Sequence, residues 1–295
     1  MAASYLAVLV IGVEQTVTRA AARCLRLAGH APVVLAPRSC WRMKLGRDCR
    51  RLIFWSGEQP SAQQVQQVVS DSGIVAVLAA DRATSLLLAR HPELPAVPTP
   101  RASLIALLED RWNLMRFADA AGLPVPAGLR IDSAAQLQAD PLLYPMVTRP
   151  LRGDDISLHY SRGTLPAEYP LLAQVYVPGW KVGASFLARQ GRLVACSVFR
   201  PARRGRHSFY HSRRVREYVE QFAAVSAYHG AGHLGMRYDP ARDNYYVLSW
   251  KPGFDASLLA AARAGVNYPE LLLRLEEHST LILPSPDKVL QASPR

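Results

Sequence analysis

The sequence predicts an α/β protein: a parallel-sheet domain at the N-terminus, then an α+β domain. Three observations predict it. Up to Ala79, apolar runs of strand length alternate with segments of helical period, the pattern of a parallel sheet covered on both faces. A proline-dense stretch follows, with Pro92, Pro95, Pro98 and Pro100 inside nine residues; it can be neither helix nor central strand, so it reads as a linker. Beyond it, apolar segments come in pairs across turn residues, at Arg189-Gln190-Gly191 and again across Asp239–Asn244.

The elements follow in order. Tyr5–Gly12 is a buried first strand, and Glu14–Ala28 a helix with Arg19, Arg23 and Arg26 outward. Val33–Ala36, Arg51–Trp55 and Ile74–Ala79 are further strands, with Ser61–Ser70 an amphipathic helix behind a Ser start. Gly12 stands alone after the first strand, so no Gly-x-Gly-x-x-Gly loop cradles a dinucleotide. Ser103–Ala121 is expected as one long helix ending at Gly122. Leu129–Ile131, Met146–Arg149, Leu172–Tyr176, Ala184–Ala188 and Arg192–Phe199 read as strands. Arg214–Ala227 is helical, Met236–Tyr238 and Tyr245–Trp250 pair as strands, and Leu258–Ala264 and Tyr268–Glu277 are helices. A loose tail is expected from Pro284.

Composition narrows the class. The chain has 295 residues, 49% hydrophobic and 20% charged, which is globular and long enough for two domains. Leu6–Val13 is too short to span a bilayer and lacks a leader's basic start, so neither membrane nor signal peptide is expected. Cys24, Cys40, Cys49 and Cys196 match no zinc spacing, and reduced cytoplasmic thiols are expected. The net charge of +12, almost all from Arg, favours acidic partners or reflects an Arg-rich coding bias.

Six segments, in order, carry a family resemblance. They are Glu109-Asp110-Arg111-Trp112 with Gly122-Leu123-Pro124-Val125-Pro126; Tyr144-Pro145-Met146-Val147-Thr148-Arg149-Pro150; and Gln174-Val175-Tyr176-Val177-Pro178-Gly179. Asp239-Pro240, Val247-Leu248-Ser249-Trp250-Lys251-Pro252-Gly253-Phe254 and Ala264-Gly265-Val266-Asn267-Tyr268-Pro269 complete the set. Together they resemble the ATP-grasp superfamily, most closely its carboxylate–amine ligases. The resemblance implies residues 1–102 as the domain that precedes the grasp, residues 103–295 as the grasp, and a small lid lobe at about 127–172.

It also implies a nucleotide cleft at Arg111, Arg149, Gln174, Tyr176 and Lys251, with the hinge at Gln174–Gly179 holding adenine. Such ligases hold Mg²⁺ through two Glu and one Asn on adjacent strands, since Mg²⁺ wants carboxylate oxygens around the phosphates. By the resemblance those positions are Gly235, Ser249 and Lys251 here. A Lys ammonium ~4 Å from a divalent ion costs several kcal/mol at moderate effective dielectric. Other positions depart too: the phosphate-binding Lys is Arg149, and the cover loop holds Asp154-Asp155 and one Gly, Gly153. Val175 and Lys181 stand where acids are usual, and Ser161–Leu171 is short for the helix such lobes carry. Asp239, Asp243 and Asp255 read as turn or helix-cap residues rather than substitute ligands.

Arg200–Arg216 carries seven Arg and two His, with Arg200, Arg203 and Arg204 as candidate anion contacts; it is otherwise a solvated loop or a nucleic-acid surface with Phe209 and Tyr210 for stacking. His229 and His233 read as structural. The expected function is a degenerate ATP-grasp-like protein, leaning away from enzyme. It would lack Mg-ATP-dependent ligation and act by ligand binding, regulation or scaffolding, with no cofactor. An active atypical carboxylate–amine ligase using ATP and Mg²⁺ is the alternative, and a basic nucleic-acid-associated protein the second. The expected partner is a small anion or an acidic protein; a homodimer stays open, and no membrane is involved.

Overall fold

The computed structural model describes residues 6–46, 48–57, 59–139, 144–153, 155–161, 168–201, 207–278 and 280–285. The chain divides into two compact units. One comprises residues 1–105, 183–233 and 251–295; the other comprises 106–182 and 234–250.

The first unit holds a parallel sheet of β1 (Val8–Ile11), β2 (Val33–Ala36), β3 (Arg51–Phe54) and β4 (Ala76–Ala79), in the order β3-β2-β1-β4. Every residue of β1 is buried, as a central strand covered on both faces requires. Helices α1 (Gln15–Leu27), α2 (Ala62–Ser72) and α3 (Arg82–Arg90) cross between strands or follow them. Ser61 and Gln64 cap α2 reciprocally, and Gly73 ends it at φ 60°. The sequence reading did not anticipate α3, although Asp81 and Thr84 form the same reciprocal cap three residues apart. The proline stretch is not a free linker: Val77 donates to Pro95 O and accepts from Val97 N, so the segment bridges onto β4.

Helix α4 (Ala102–Glu109) and helix α5 (Arg111–Ala120) replace the single helix expected over Ser103–Ala121. Asp110 is extended, and its carboxylate accepts from Asn113 N, so it starts a new helix instead of continuing the old one.

The second unit carries an antiparallel sheet in the order β5-β8-β6-β7, from β5 (Gly128–Ile131), β6 (Met146–Pro150), β7 (Ser157–His159) and β8 (Leu171–Val175), with the short helix α6 (Ala134–Ala139) after β5. A five-stranded sheet has the order β11-β10-β9-β12-β13. Its strands are β9 (Trp180–Arg189), β10 (Arg192–Pro201), β11 (His207–Tyr210), β12 (Gly230–Asp239) and β13 (Asn244–Pro252). β9 and β10 turn on Gln190 (φ 48°) and Gly191 (φ 84°), the two positive angles a tight hairpin needs. β11 lies in the segment read as basic loop, and His229–His233 leads into and along a strand.

Helices α7 (Arg213–Val225), α8 (Leu258–Arg263) and α9 (Tyr268–Leu273) complete the first unit. Phe186, Phe222 and Tyr228 form a buried aromatic cluster with ring centroids 4.9–6.1 Å apart. Each such ring buries apolar surface that stabilises the fold by roughly 2–3 kcal/mol. His30, buried, meets the Glu270 carboxylate at 2.6 Å. Ser285 donates to Ala264 O, so the part of the expected loose tail that is described is tied down; residues 286–295 lie outside the described residues.

No helix among the described residues is long and apolar enough to cross a membrane. The four cysteines are free thiols, and burial pushes Cys24 and Cys196 up to about 12.

Candidate functional site

Two places collect polar and charged side chains that the folded chain holds in fixed positions, one in each unit. In the second unit, β12 and β13 are neighbours and bring Gly235 against Ser249. A Cβ on Gly235 would run into the Ser249 hydroxyl, so any side chain there would have to turn that hydroxyl away. Neither position offers a carboxylate. Two residues along β12 from Gly235, on the same strand face, is Arg237.

Arg237 was not among the residues singled out in the sequence. Its guanidinium carbon lies 5.0 Å from the centre of the Tyr176 ring. Its Nη2 donates to Tyr176 Oη at 3.0 Å and to Gly179 O at 2.6 Å. Gly179 sits at φ 88°, with its Cα pressed on the Tyr238 carbonyl so that no Cβ fits. Trp180 and Tyr245 both pack on Tyr238, with ring centroids 4.7 and 4.8 Å away. The Tyr176–Gly179 segment therefore has a planar cation stacked on its aromatic residue and bonded to its carbonyl.

Arg149, on β6, reaches the Leu248 carbonyl at 3.5 Å. Burial pulls its guanidinium down to about 10, and the like charges of Arg111 and Arg237 add to the fall. Arg149 Nε and Arg237 Nε are both buried without a hydrogen-bond partner, and among the described residues neither arginine meets a carboxylate. Arg111 clasps the loop after β6, donating to the carbonyls of Pro150 and Gly153. Gln174 faces inward: it is buried, and its amide meets Met115 Sδ at 3.0 Å. Asp155 is exposed, while Asp154 lies outside the described residues.

In the first unit, Asp255 sits in the turn before α8. Its carboxylate accepts from Ser185 Oγ at 2.9 Å, Ser257 Oγ at 2.7 Å and Ser257 N at 3.2 Å. His233 Nδ1 stands 3.3 Å from Ser185 Oγ and 3.8 Å from Asp255. Burial works to raise the Asp255 carboxyl, but the His233 charge and the serine donors outweigh it and hold the group below its ordinary value. Burial lowers His233, the Asp255 charge works to raise it, and Lys251 adds to the fall. Ser185 is not poised as a nucleophile, because its hydroxyl is bonded straight to the carboxylate instead of to an imidazole that the carboxylate orients.

Lys251 and Arg200 are exposed, and Arg203 and Arg204 lie outside the described residues. Asp239 accepts from Ala241 N and Arg242 Nη1, a turn role. The start of α1, where a βαβ unit could hold a phosphate, is closed by the chain itself: Asp81 accepts from Val13 N at 2.5 Å and Glu14 N at 3.0 Å.

Neither a protein-family model nor a curated protein sequence matches the chain. Solved structures do. The L-amino acid ligase of Bacillus licheniformis superposes with a TM-score of 0.70 at 14% identity, over 98% of this chain and 77% of that one. The ADP complex of N5-carboxyaminoimidazole synthetase from Staphylococcus aureus gives 0.71 at 15% identity, over 97% and 81%. These neighbours are ATP-grasp carboxylate–amine ligases. The chain has the ATP-grasp fold. A third ATP-grasp neighbour, the biotin carboxylase domain of the Hydrogenobacter thermophilus 2-oxoglutarate carboxylase in complex with MgADP, gives 0.68 at 15% identity, over 96% and 72%.

Such identities speak to fold alone. The donor set of this chain does not fit magnesium at the positions the resemblance implies. Gly235 has no side chain, Ser249 offers a neutral hydroxyl, and Lys251 brings a positive charge. Among the described residues, no three His, Cys, Asp or Glu side chains gather closely enough to hold a metal ion.

Proposed function

We propose that this chain is a degenerate ATP-grasp protein that has given up Mg-ATP-dependent ligation and serves as a binding, regulatory or scaffolding partner for an anionic ligand or acidic protein. The observation that carries the reading is Gly235 packed on the Ser249 hydroxyl, two ligand positions filled without a carboxylate, one having no side chain and the other a neutral hydroxyl. Arg237 supports it, since its guanidinium already engages the Tyr176 ring and the Gly179 carbonyl of the hinge. The anion preference is supported by Arg149 and Arg237, which keep buried Nε–H groups without partners. A buried donor left open costs about 1–3 kcal/mol, more when charged, and a carboxylate or phosphate arriving there recovers that cost.

The same reading takes residues 1–102 as the domain preceding the grasp and 103–295 as the grasp. The lid at about 127–172 is reduced, and α6, six residues long, is the one helix described in it. It takes the protein as cytoplasmic, in keeping with four free thiols. The test is ADP release from ATP and magnesium in the presence of panels of carboxylates and amines. No stimulated release is expected. Release stimulated by any pair, and abolished by Asp239→Asn or Asp255→Asn, would establish the atypical-ligase alternative instead.

A further inference from the structure

A second basic site lies in the first unit, built from residues to which the resemblance assigns no role. A cavity of about 400 Å³ is lined by Arg23, Arg26 and Leu27 of α1, Asp48, and Leu259 and Arg263 of α8. Its arginines are placed by a buried anchor. Asp48 is 4% exposed and accepts from Arg19 Nε at 2.6 Å and from Arg23 Nε at 2.5 Å. Burial works to raise that carboxyl, and the hydrogen bonds from Arg23 and Arg19 hold it below its ordinary value all the same. Gly46 makes the arrangement fit, because a Cβ there would strike the Asp48 carboxylate and crowd the Arg19 guanidinium.

Both arginines meet Asp48 through Nε, which leaves their terminal nitrogens for other partners. Arg26 and Arg263 meet no carboxylate among the described residues, so the cavity is lined by three guanidiniums and one carboxylate. The same two helices add apolar lining: Leu27 is 64% exposed, and Leu259 is partly so. A solvated arginine surface needs neither a buried carboxylate to fix its side chains nor an open leucine beside them. The volume is that of a small-molecule site.

From this geometry we infer that the cavity binds a small organic phosphate, its phosphate on Arg23, Arg26 and Arg263 and its apolar body on Leu27 and Leu259. Guanidinium forks match phosphate oxygens two at a time, and the leucines reward a ligand that is more than a bare ion. The site is independent of the proposal for the second unit.

The experiment is calorimetric titration of the full chain with phenyl phosphate and, separately, inorganic phosphate, both in EDTA at low salt. It is run on wild type, on Arg149→Met/Arg237→Met, and on Arg26→Gln/Arg263→Gln. Phenyl phosphate should still bind the Arg149→Met/Arg237→Met protein at one site, and at least ten-fold more weakly once Arg26→Gln/Arg263→Gln is added. Leu27→Ser should weaken phenyl phosphate and leave inorganic phosphate unchanged. Unchanged thermal unfolding of the exposed-arginine variants separates lost contact from lost fold. Phenyl phosphate binding indifferent to Arg26→Gln/Arg263→Gln, or absent from the Arg149→Met/Arg237→Met protein, would overturn the inference while leaving the reading of the second unit standing.

Discussion

Two sets of buried charge, three carboxylates of the first unit and two arginines of the second, are treated in opposite ways. In the first unit they are closed from within. Asp81 takes two backbone N–H groups at the start of α1 and caps α3, Asp48 takes two guanidiniums, and Asp255 takes two serines and an amide beside His233. In the second unit Arg149 and Arg237 stay open, each with a buried Nε that nothing meets, and with one another's charge to oppose them. A fold that leaves a buried charge unclosed gives up stability there, and such places are where a ligand is expected.

The comparison breaks most visibly at Asp255. Asp255→Ala should destabilise the protein by about 3 kcal/mol in urea unfolding, because His233 and two serine hydroxyls lose a largely buried acceptor. Asp255→Asn should cost less. The pH dependence follows from the folded-state carboxyl being held below its ordinary value. Its stabilisation is complete above the unfolded value of about 3.9 and is lost as pH falls through the lower folded value. Wild type should therefore lose stability below about pH 4 more steeply than Asp255→Asn.

Asp81→Ala comes next, at about 2–3 kcal/mol, since it strips an acceptor from the amides of Val13 and Glu14 and uncaps α3. Arg149→Met should cost the least, within about 1 kcal/mol and with either sign, because it removes a buried like charge as well as a long side chain. The same variant should bind pyrophosphate about ten-fold or more weakly. Arg149→Met destabilising as much as Asp255→Ala would erase the difference between the units.

Much of the architecture was legible because it is local. Apolar runs marked the parallel strands, Gln190-Gly191 marked a hairpin, and Ser61 with Gln64 marked a helix start. The break between α4 and α5 was legible in principle, since Asp110 is a capping residue, but an unbroken apolar stripe across it argued for one helix. The departures of Ser249 and Lys251 from the resembled signature could be seen because neighbouring segments fixed the register.

What stayed hidden was contact between distant residues. The closure of the α1 start by Asp81 spans 68 residues, and the bond from Ser185 to Asp255 spans 70. No periodicity announces either. Arg237 had a usable signal, since it lies two residues from Gly235 and must share its strand face. An arginine between Met236 and Tyr238 otherwise looks like ordinary alternation.

On the function proposed above, the Gly235–Ser249 pair and Lys251 leave no place for magnesium beside a nucleotide. Calorimetric titration of the full chain with ATP, once with magnesium and once with EDTA, tests it most directly. The account predicts that magnesium brings no gain in affinity, whether or not the arginines of the second unit hold the phosphates weakly. Micromolar binding that appears with magnesium and disappears with EDTA would contradict it.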